Sequence, residues 1–197
     1  LDIKKTDDAA TTAQKFFSAM QHEQYLPIAH VFKQSIHHYC LREWLALANP
    51  EFAKRVHLRT LPPPYMVEAI SNQLIDGFCV GEPWNTQAEI QGYSQIIATG
   101  SDIIPRVADK VLAVTQEWAI SNPNTLAALV QAIQKAQVEL KQMQDLEPVW
   151  QVLVDYNIIR FACSASVHVE KYHLIQNIIR GFIPKQAQPQ VCLLYTS

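Results

Sequence analysis

The stretch PPPYMVEAISNQLIDGFCVGEPWN, residues 62–85, predicts a helix, a turn, a short buried strand and a loop, in that order. The three prolines at 62–64 predict an extended entry, because each fixes φ near about −65° and disfavours helix in the residue before it. From Tyr65 to Leu74, apolar residues recur at helical spacing. Residues 76–77 are typical of a turn, and residues 78–80 are apolar and β-prone, as in a central strand of a parallel sheet.

The residues after this predicted strand lie where open α/β sheets bind their ligands, at the carboxyl ends of the strands. Gly81 has no Cβ, so it lets backbone N–H groups approach an anion closely; its alternative role is a plain turn. Glu82 is a candidate to pair with a cation or to orient a neighbouring group; its alternative is a structural role. Trp84 stacks on a planar ligand or packs in the core. The element therefore predicts one wall of a small-molecule site.

A second strand-end loop is predicted upstream. Residues 27–32 read as a strand, residues 33–37 as its loop, and a helix is predicted from about His38 to Ala48. His37 lies at the amino end of this helix, where backbone N–H groups concentrate positive charge and a histidine can donate a hydrogen bond to an anion. A surface or helix-capping histidine is the alternative.

Further elements are predicted on both sides of these stretches. Strands are expected at 56–61 and 94–99, with a polar loop at 100–102, and helices at 12–24, 105–121, 125–143, 148–156 and 167–182. Lys110 lies near the start of the helix predicted at 105–121. It is either a solvated surface lysine or, if its side chain points into the cleft, the countercharge of an anion. The order of elements indicates an α/β fold with a largely parallel sheet and a helical return segment.

Composition excludes several classes of protein. The net charge of −2 disfavours bulk binding to nucleic acid or anionic membranes, which needs clustered cations. The four cysteines form no C-x-x-C pair, and the seven histidines show no metal-ligand spacing. G-x-S-x-G, H-E-x-x-H and P-loop motifs are absent from the sequence. We therefore expect a binding protein that is not an enzyme and has no cofactor or metal.

The two ends of the sequence differ from its middle. The chain opens LDIKK without methionine, which reads as the middle of a longer protein, so the lack of a signal peptide says little about compartment. Residues 184–197 are linker-like and then abruptly apolar. They are interpreted as a disordered or non-native tail, with an edge strand as the alternative.

Together these stretches resemble the substrate-binding proteins of ABC-type nitrate, nitrite and bicarbonate importers and their cytoplasmic nitrate-sensor relatives. DGFCVGEPWN at 76–85 is the most specific match, and the resemblance covers roughly residues 10–183. The other matching runs are HVF at 30–32, SIHHYCLREWLA at 35–46, PPPYMV at 62–67, DKVLAVT at 109–115, NPNTLAAL at 122–129 and a degraded helix at 168–181. His38 stands where the family pattern has Asn.

The resemblance implies a type II periplasmic-binding-protein-like fold, with two α/β lobes around an anion. On this pattern, residues 1–32 are the tail end of the first lobe and hinge, 33–92 the second lobe, and 93–183 a mainly helical return segment. The first half of the first lobe is missing. We therefore expect the isolated chain to bind nitrate weakly or not at all.

The family's nitrate ligands map by motif onto particular residues of this sequence. They are His37, Gly81 and Lys110, with Ser35, Glu82 and Trp84 as further candidates. The resemblance indicates an acidic residue at the position of Lys110 in bicarbonate-type relatives, so Lys110 favours nitrate or nitrite.

The resemblance implies a solute-binding component that captures nitrate or nitrite in an interlobe cleft. It would deliver the ion to a membrane permease with its ATPase subunits, in the periplasm or anchored on the outer side of the inner membrane. The alternative is a cytoplasmic nitrate or nitrite sensor that regulates a partner protein. A binding domain fused to a transporter ATPase is also open.

Overall fold

A computed structural model describes residues 2–22, 26–105 and 111–157 of the chain. It divides into two compact units, Leu1–Asp109 and Lys110–Ser197. The described part of the first unit contains α1 (Ala9–His22), β1 (Ile28–His30), α2 (Ile36–Ala48), α3 (Pro50–Arg55), β2 (Leu58–Thr60), α4 (Pro63–Ser71), β3 (Gly77–Phe78), α5 (Trp84–Ile90) and α6 (Gly100–Ile103). The described part of the second contains α7 (Gln116–Ser121), α8 (Pro123–Gln142) and α9 (Glu147–Asp155). Among the described residues, none of the helices combines the length and apolar character needed to cross a bilayer.

The sheet of the first unit has the strand order β2-β1-β3, and both pairings are parallel. Ile28 lies opposite Leu58 on one side and Gly77 on the other. The pairing continues past β3, because the Cys79 backbone N–H donates to the Ala29 carbonyl at 3.0 Å. The predicted α/β class with a parallel sheet is confirmed for this unit, whereas the two-lobe arrangement and the segment boundaries remain predictions.

The central strand β1 is buried on both faces. Ile28 belongs to a core cluster with residues of α1, α2 and α3, whereas the next residue, Ala29, belongs to a second cluster with residues of α4 and the β3 region. Successive side chains of a strand point to opposite faces, so the two clusters lie on the two sides of the sheet. This burial explains why β1 carries no alternation of apolar and polar residues.

Two polar side chains define the ends of α2. The Ser35 hydroxyl oxygen accepts a hydrogen bond from the His38 backbone N–H, which caps the amino end. Asn49 ends α2 and at once caps α3, because its side-chain oxygen accepts from the Phe52 backbone N–H at 2.9 Å. Pro50 takes the first position of α3, where its missing N–H costs nothing.

Arg42 connects α2 to the carboxyl end of α3. Its guanidinium donates to the carbonyls of Ala53 and Val56, the second at 2.9 Å. A cation at this end of a helix satisfies carbonyls without intrahelical partners and is favoured by the helix dipole. Arg42 therefore supports the core from a partly buried position.

One predicted strand is wrong in the structure, and one predicted helix is confirmed only in part. Residues 94–99 form no strand. Ile97 packs against the core formed with α1 and α2, so the apolar residues of this segment reflect partial burial and not pairing with a neighbouring strand. Of the helix predicted at 105–121, only α7 is helical among the described residues, and 111–115 are irregular. The Thr115 hydroxyl oxygen accepts from the Trp118 backbone N–H and starts α7 there. The predicted helix at 167–182 and the tail at 184–197 lie outside the described residues.

The ends of α4 also differ from the prediction. The helix begins at Pro63, because prolines fit the first helical turn, and it ends at Ser71, before the expected Asp76-Gly77 turn. Gln73 adopts φ of 57° and closes the helix in the left-handed region. Likewise the predicted loop at 100–102 is α6, in which the Asp102 carboxylate accepts from the Thr99 backbone N–H at 2.7 Å.

Replacing Thr12 with valine should destabilise the first unit by about 1–3 kcal/mol. Thr12 is fully buried, and its hydroxyl oxygen accepts from the Trp44 indole N–H at 3.0 Å while it donates to the Ala9 carbonyl. Valine keeps the shape but leaves the indole N–H without an acceptor. Urea unfolding measures the loss. Thr12→Ser, which keeps the hydroxyl, is the control, and equal losses for both variants would contradict the assigned role of the hydrogen bond.

Candidate functional site

The candidate site is the carboxyl edge of the sheet between β1 and β3. Because β1 is central, the chain leaves it toward β2 and later returns on its other side as β3. This reversal is a topological switch point, where open parallel sheets form a ligand-binding crevice. The loop before α2 and the loop that contains Gly81 leave the sheet at the ends of these two adjacent strands.

The first wall is the amino end of α2. The helix begins at Ile36, so His37 is its second residue and does not lie in the preceding loop as predicted. Ser35 is buried; its hydroxyl donates to the Phe32 carbonyl at 2.6 Å and accepts from the His38 backbone N–H at 3.2 Å. The Ser35 hydroxyl proton is thus already engaged, and a bond from it to a ligand remains a prediction.

The second wall is the loop from Val80 to the start of α5. Asn85 fastens this loop to the end of β3, because its side-chain amide donates to the Val80 carbonyl at 2.6 Å. The Glu82 carboxylate accepts from the Thr86 backbone N–H at 3.2 Å and from the Asn85 amide at 3.3 Å. These bonds hold the backbone on either side of Gly81 in a fixed conformation.

Glu82 acts on this loop as the acidic cap that α5 otherwise lacks. The N-cap residue of α5 is Pro83, which offers no side-chain acceptor, and Glu82 accepts from the first turn in its place. Burial raises the pKa of the Glu82 carboxyl above its ordinary range, against the opposing effect of the Thr86 and Asn85 hydrogen bonds. The structure thus gives Glu82 the orienting role; direct contact with a ligand remains a prediction.

The remaining predicted site residues have different outcomes. Trp84 is the first residue of α5 and packs partly against the cluster that contains Ala29, Met66 and Val80, which is its predicted alternative role. Lys110 lies outside the described residues, so its place relative to His37 and Gly81 remains a prediction. Within the described residues, no group of three or more His, Cys, Asp or Glu is arranged to hold a metal ion.

Sequence reasoning missed a contact between His30 and His38. The two Nδ1 atoms lie 3.2 Å apart, and His30 Nε2 lies 3.2 Å from the Thr60 hydroxyl oxygen. His30 ends β1 and is only 1% exposed. The sequence signal for this contact was a histidine at the end of a predicted strand and another in the first turn of the following helix. A search for metal-ligand spacing does not detect such a pair.

Replacing Glu82 with glutamine should change the pH dependence of stability. Because its pKa is raised in the folded state, the native carboxyl still holds its proton at pH values where the unfolded one has lost it. Stability contributed by Glu82 therefore falls as pH rises from its ordinary pKa through its folded pKa, and then stays constant.

The free energy of unfolding of Glu82→Gln minus that of the wild type should thus increase across this pH window, as measured by urea unfolding at several pH values. Glu68→Gln, at an exposed position of α4, controls for the loss of one negative charge. A difference that stays constant with pH, or falls, would show that Glu82 is not the buried titrating group described here.

The chain is similar to transport proteins of cyanobacteria. It is 44% identical over 106 residues to the bicarbonate transport ATP-binding protein CmpC of Synechocystis sp., which is 54% of this chain and 16% of that protein. It is 40% identical over 114 residues to the nitrate import ATP-binding protein NrtC of the same organism, with 58% and 17% covered. It is 31% identical over 173 residues to the nitrate/nitrite binding protein NrtA of Nostoc sp., with 87% and 38% covered.

The chain therefore spans well under half the length of these relatives. No solved structure gives a significant match. The family match is more extensive, since it runs from residue 2 to residue 154 and includes both predicted strand-end loops. The relatives named as nitrate/nitrite binding proteins agree with the predicted resemblance, which is confirmed. On this evidence the chain belongs to the NMT1-like family.

Proposed function

We propose that the chain forms part of the anion-binding domain of an ABC-type importer, and that nitrate or nitrite binds at the carboxyl edge between β1 and β3. The observation that carries the proposal is the switch point, where the amino end of α2 and the loop around Gly81 leave two adjacent parallel strands. Relatives named for nitrate import and nitrite binding support the choice of ligand class.

The chemistry of nitrate fits donors of this kind. Nitrate is a planar monoanion with three acceptor oxygens and no hydrogen-bond donor. The first turn of a helix presents backbone N–H groups and partial positive charge, which favour such an ion. In the proposed site His37 donates from α2, and backbone N–H groups donate from the loop at Gly81. The proposed role of Lys110 is to neutralise the charge.

Lys110 carries the proposed selectivity. Bicarbonate has a hydroxyl group that needs an acceptor, so an acidic residue at this position suits bicarbonate and repels nitrate. A lysine reverses this preference, because its ammonium group donates three hydrogen bonds and accepts none. Nitrate or nitrite is therefore the first candidate.

Bicarbonate is the second candidate, and one comparison favours it. The relative with 44% identity is named as a bicarbonate transport protein, whereas the nitrate/nitrite binding protein is 31% identical. Identity over a shared fold does not determine one ligand, because a single charged side chain can reverse selectivity between small anions. The test must therefore include both ions.

Energetics indicate that the two walls at the sheet edge are not sufficient and that the bound anion must also be covered from outside the sheet. A micromolar site requires about −8 kcal/mol. Charge-assisted hydrogen bonds contribute roughly 1.5–3 kcal/mol each, before the costs of binding. Three such residues reach this value only when water is excluded from the anion. We propose that the opposite lobe closes over the sheet edge by a hinge motion.

The proposed site is compatible with three alternative settings. As a separate binding protein of the importer, the domain would capture the ion on the outer side of the inner membrane and pass it to the permease and its ATPase subunits. As a domain fused to the ATPase it would lie on the side of the membrane where ATP is hydrolysed; this second setting is supported by the relatives with 40% and 44% identity, which are named as ATP-binding proteins. The alternative to a transport protein is a cytoplasmic sensor, which would use the same site to hold or release a regulatory partner.

Calorimetric titration of nitrate, nitrite and bicarbonate tests the ligand. The protein to use is the longest natural one that contains this sequence. We expect nitrate or nitrite to bind in the micromolar range, and Lys110→Glu to weaken binding by about a hundredfold or more, because it removes a charge-assisted hydrogen bond and adds repulsion.

Lys54→Glu is the matched control, because Lys54 is exposed on α3 and makes only a local ion pair with Glu51. It should bind as the wild type does. Tight bicarbonate binding without a response to nitrate would replace the first candidate with the second. No binding of any of the three ions would remove the ligand proposal and leave the fold unaffected.

A further inference from the structure

Two histidine rings meet where β1 ends and α2 begins. His30 is the last residue of β1, and His38 is the third residue of α2, directly after the candidate ligand His37. The ring centroids lie 4.8 Å apart, with 46° between the ring planes. Their Nδ1 atoms are 3.2 Å apart, which is hydrogen-bond distance.

The contact between the two Nδ1 atoms restricts where the ring protons of His30 and His38 can lie. Two ring nitrogens at this distance need one proton between them, so one Nδ1 donates and the other accepts. Two neutral arrangements satisfy both contacts: His30 Nδ1–H donates to His38 while His30 Nε2 accepts from the Thr60 hydroxyl, or His38 Nδ1–H donates to His30, whose Nε2–H donates to the Thr60 oxygen. After either arrangement gains one proton, His38 carries protons on both ring nitrogens and donates from Nδ1, and His30 donates from Nε2 to the Thr60 oxygen. The pair therefore accepts one proton without losing either hydrogen bond.

The surroundings of the pair are positively charged. Burial lowers the pKa of both rings, and the charges of Arg42 and Lys33 act in the same direction. The pKa of His30 is lowered further by the neighbouring His38, against the opposing effect of a hydrogen bond with the Phe32 backbone. The helix dipole adds to this effect at the first turn of α2. Glu82, the carboxylate of the loop that follows β3, is hydrogen-bonded to its own helix. His37, which precedes His38 in α2 and is the proposed ligand of the anion, is the other titratable group that the test must separate.

We infer that anion binding at the amino end of α2 is coupled to the uptake of one proton by the His30–His38 pair. This inference rests on the proposed function. A negative charge bound at the first turn offsets the positive surroundings that keep the pair neutral. The proton in turn strengthens the attraction for the anion, because coupling between two binding events is reciprocal.

The inference gives a definite pH dependence. Between the pKa of the pair in the free protein and its higher pKa in the complex, each bound anion brings up to one proton. Affinity for nitrate should therefore rise as pH falls through this window, by up to about tenfold for each pH unit. Nitrate remains fully ionised near neutral pH, so the proton is taken up by the protein.

Titration of nitrate into buffers with different ionisation enthalpies, from pH 5.5 to 8, measures the uptake, in the same natural protein as above. The wild type should take up a fraction of a proton that approaches one. His38→Asn keeps an acceptor oxygen for His30 but cannot hold a proton, so it should bind nitrate without net uptake and with a flat pH profile. His57→Asn, the same change at an exposed histidine, is the control and should behave as the wild type does.

The outcomes separate the inference from the proposed function. Binding with equal uptake in the wild type and His38→Asn would assign the proton to another group, such as His37, and overturn the inference alone. Binding without uptake in the wild type would also overturn it. No binding at any pH would overturn the proposed function together with the inference.

A measurement on the ligand-free wild type tests the inference even if the His38→Asn variant does not fold. Nitrogen-15 spectra of the histidine rings in the anion-free wild type at pH 7 should show two neutral rings, one of them protonated at Nδ1. Two rings protonated at Nε2 would leave two acceptors facing each other and would overturn the inference.

Discussion

The parallel pairing of β1 with β3 sets the geometry of the candidate site. Gly77 lies opposite Ile28, and a Cβ added at Gly77 would approach Ile28 Cγ2 to 3.0 Å. Ile28 is buried in the core, and its β-branched side chain has few rotamers with which to move away. The glycine thus allows β3 to approach β1 closely. This approach brings the two strand-end loops to one edge of the sheet.

Three polar side chains at that edge already have structural partners. Ser35 caps α2, Glu82 caps α5, and Asn85 fixes the end of β3. An anion site made in this way is preorganised, because its backbone N–H groups are held in place before the ligand arrives. The structure therefore separates residues that position the edge from His37 and Gly81, which are proposed to contact the ion. The pair of His30 and His38 belongs with the residues that position the edge. It differs from Ser35, Glu82 and Asn85 in its proposed role, which is to take up a proton when the anion binds.

The sequence predicted elements on both sides of the site but missed two short helices near it. The strands β1, β2 and β3 and the helices α2, α4, α8 and α9 were predicted within a few residues, because helix-period apolar positions or short β-prone apolar runs indicate them. The helices α3 and α5 were not predicted. The strand at 94–99 was predicted wrongly because Ile97 is partly buried without strand pairing. The contact between His30 and His38 was not predictable from spacing, since it depends on how α2 turns back over the end of β1. Their positions at predicted strand ends made His37 and Gly81 candidates, and the family resemblance selected them as ligands; their contacts with an ion remain predictions.

Site-resolved nuclear magnetic resonance would test the switch-point site most directly. Nitrate is titrated into the isotope-labelled natural protein that contains this sequence, and the backbone amide signals are followed. If the anion binds between the two loops, the amides of Ile36 and His37 and those of Gly81 and Glu82 should shift together, with one shared dissociation constant. If nitrate shifts amides elsewhere and leaves these four unchanged, the anion does not bind at the edge between β1 and β3.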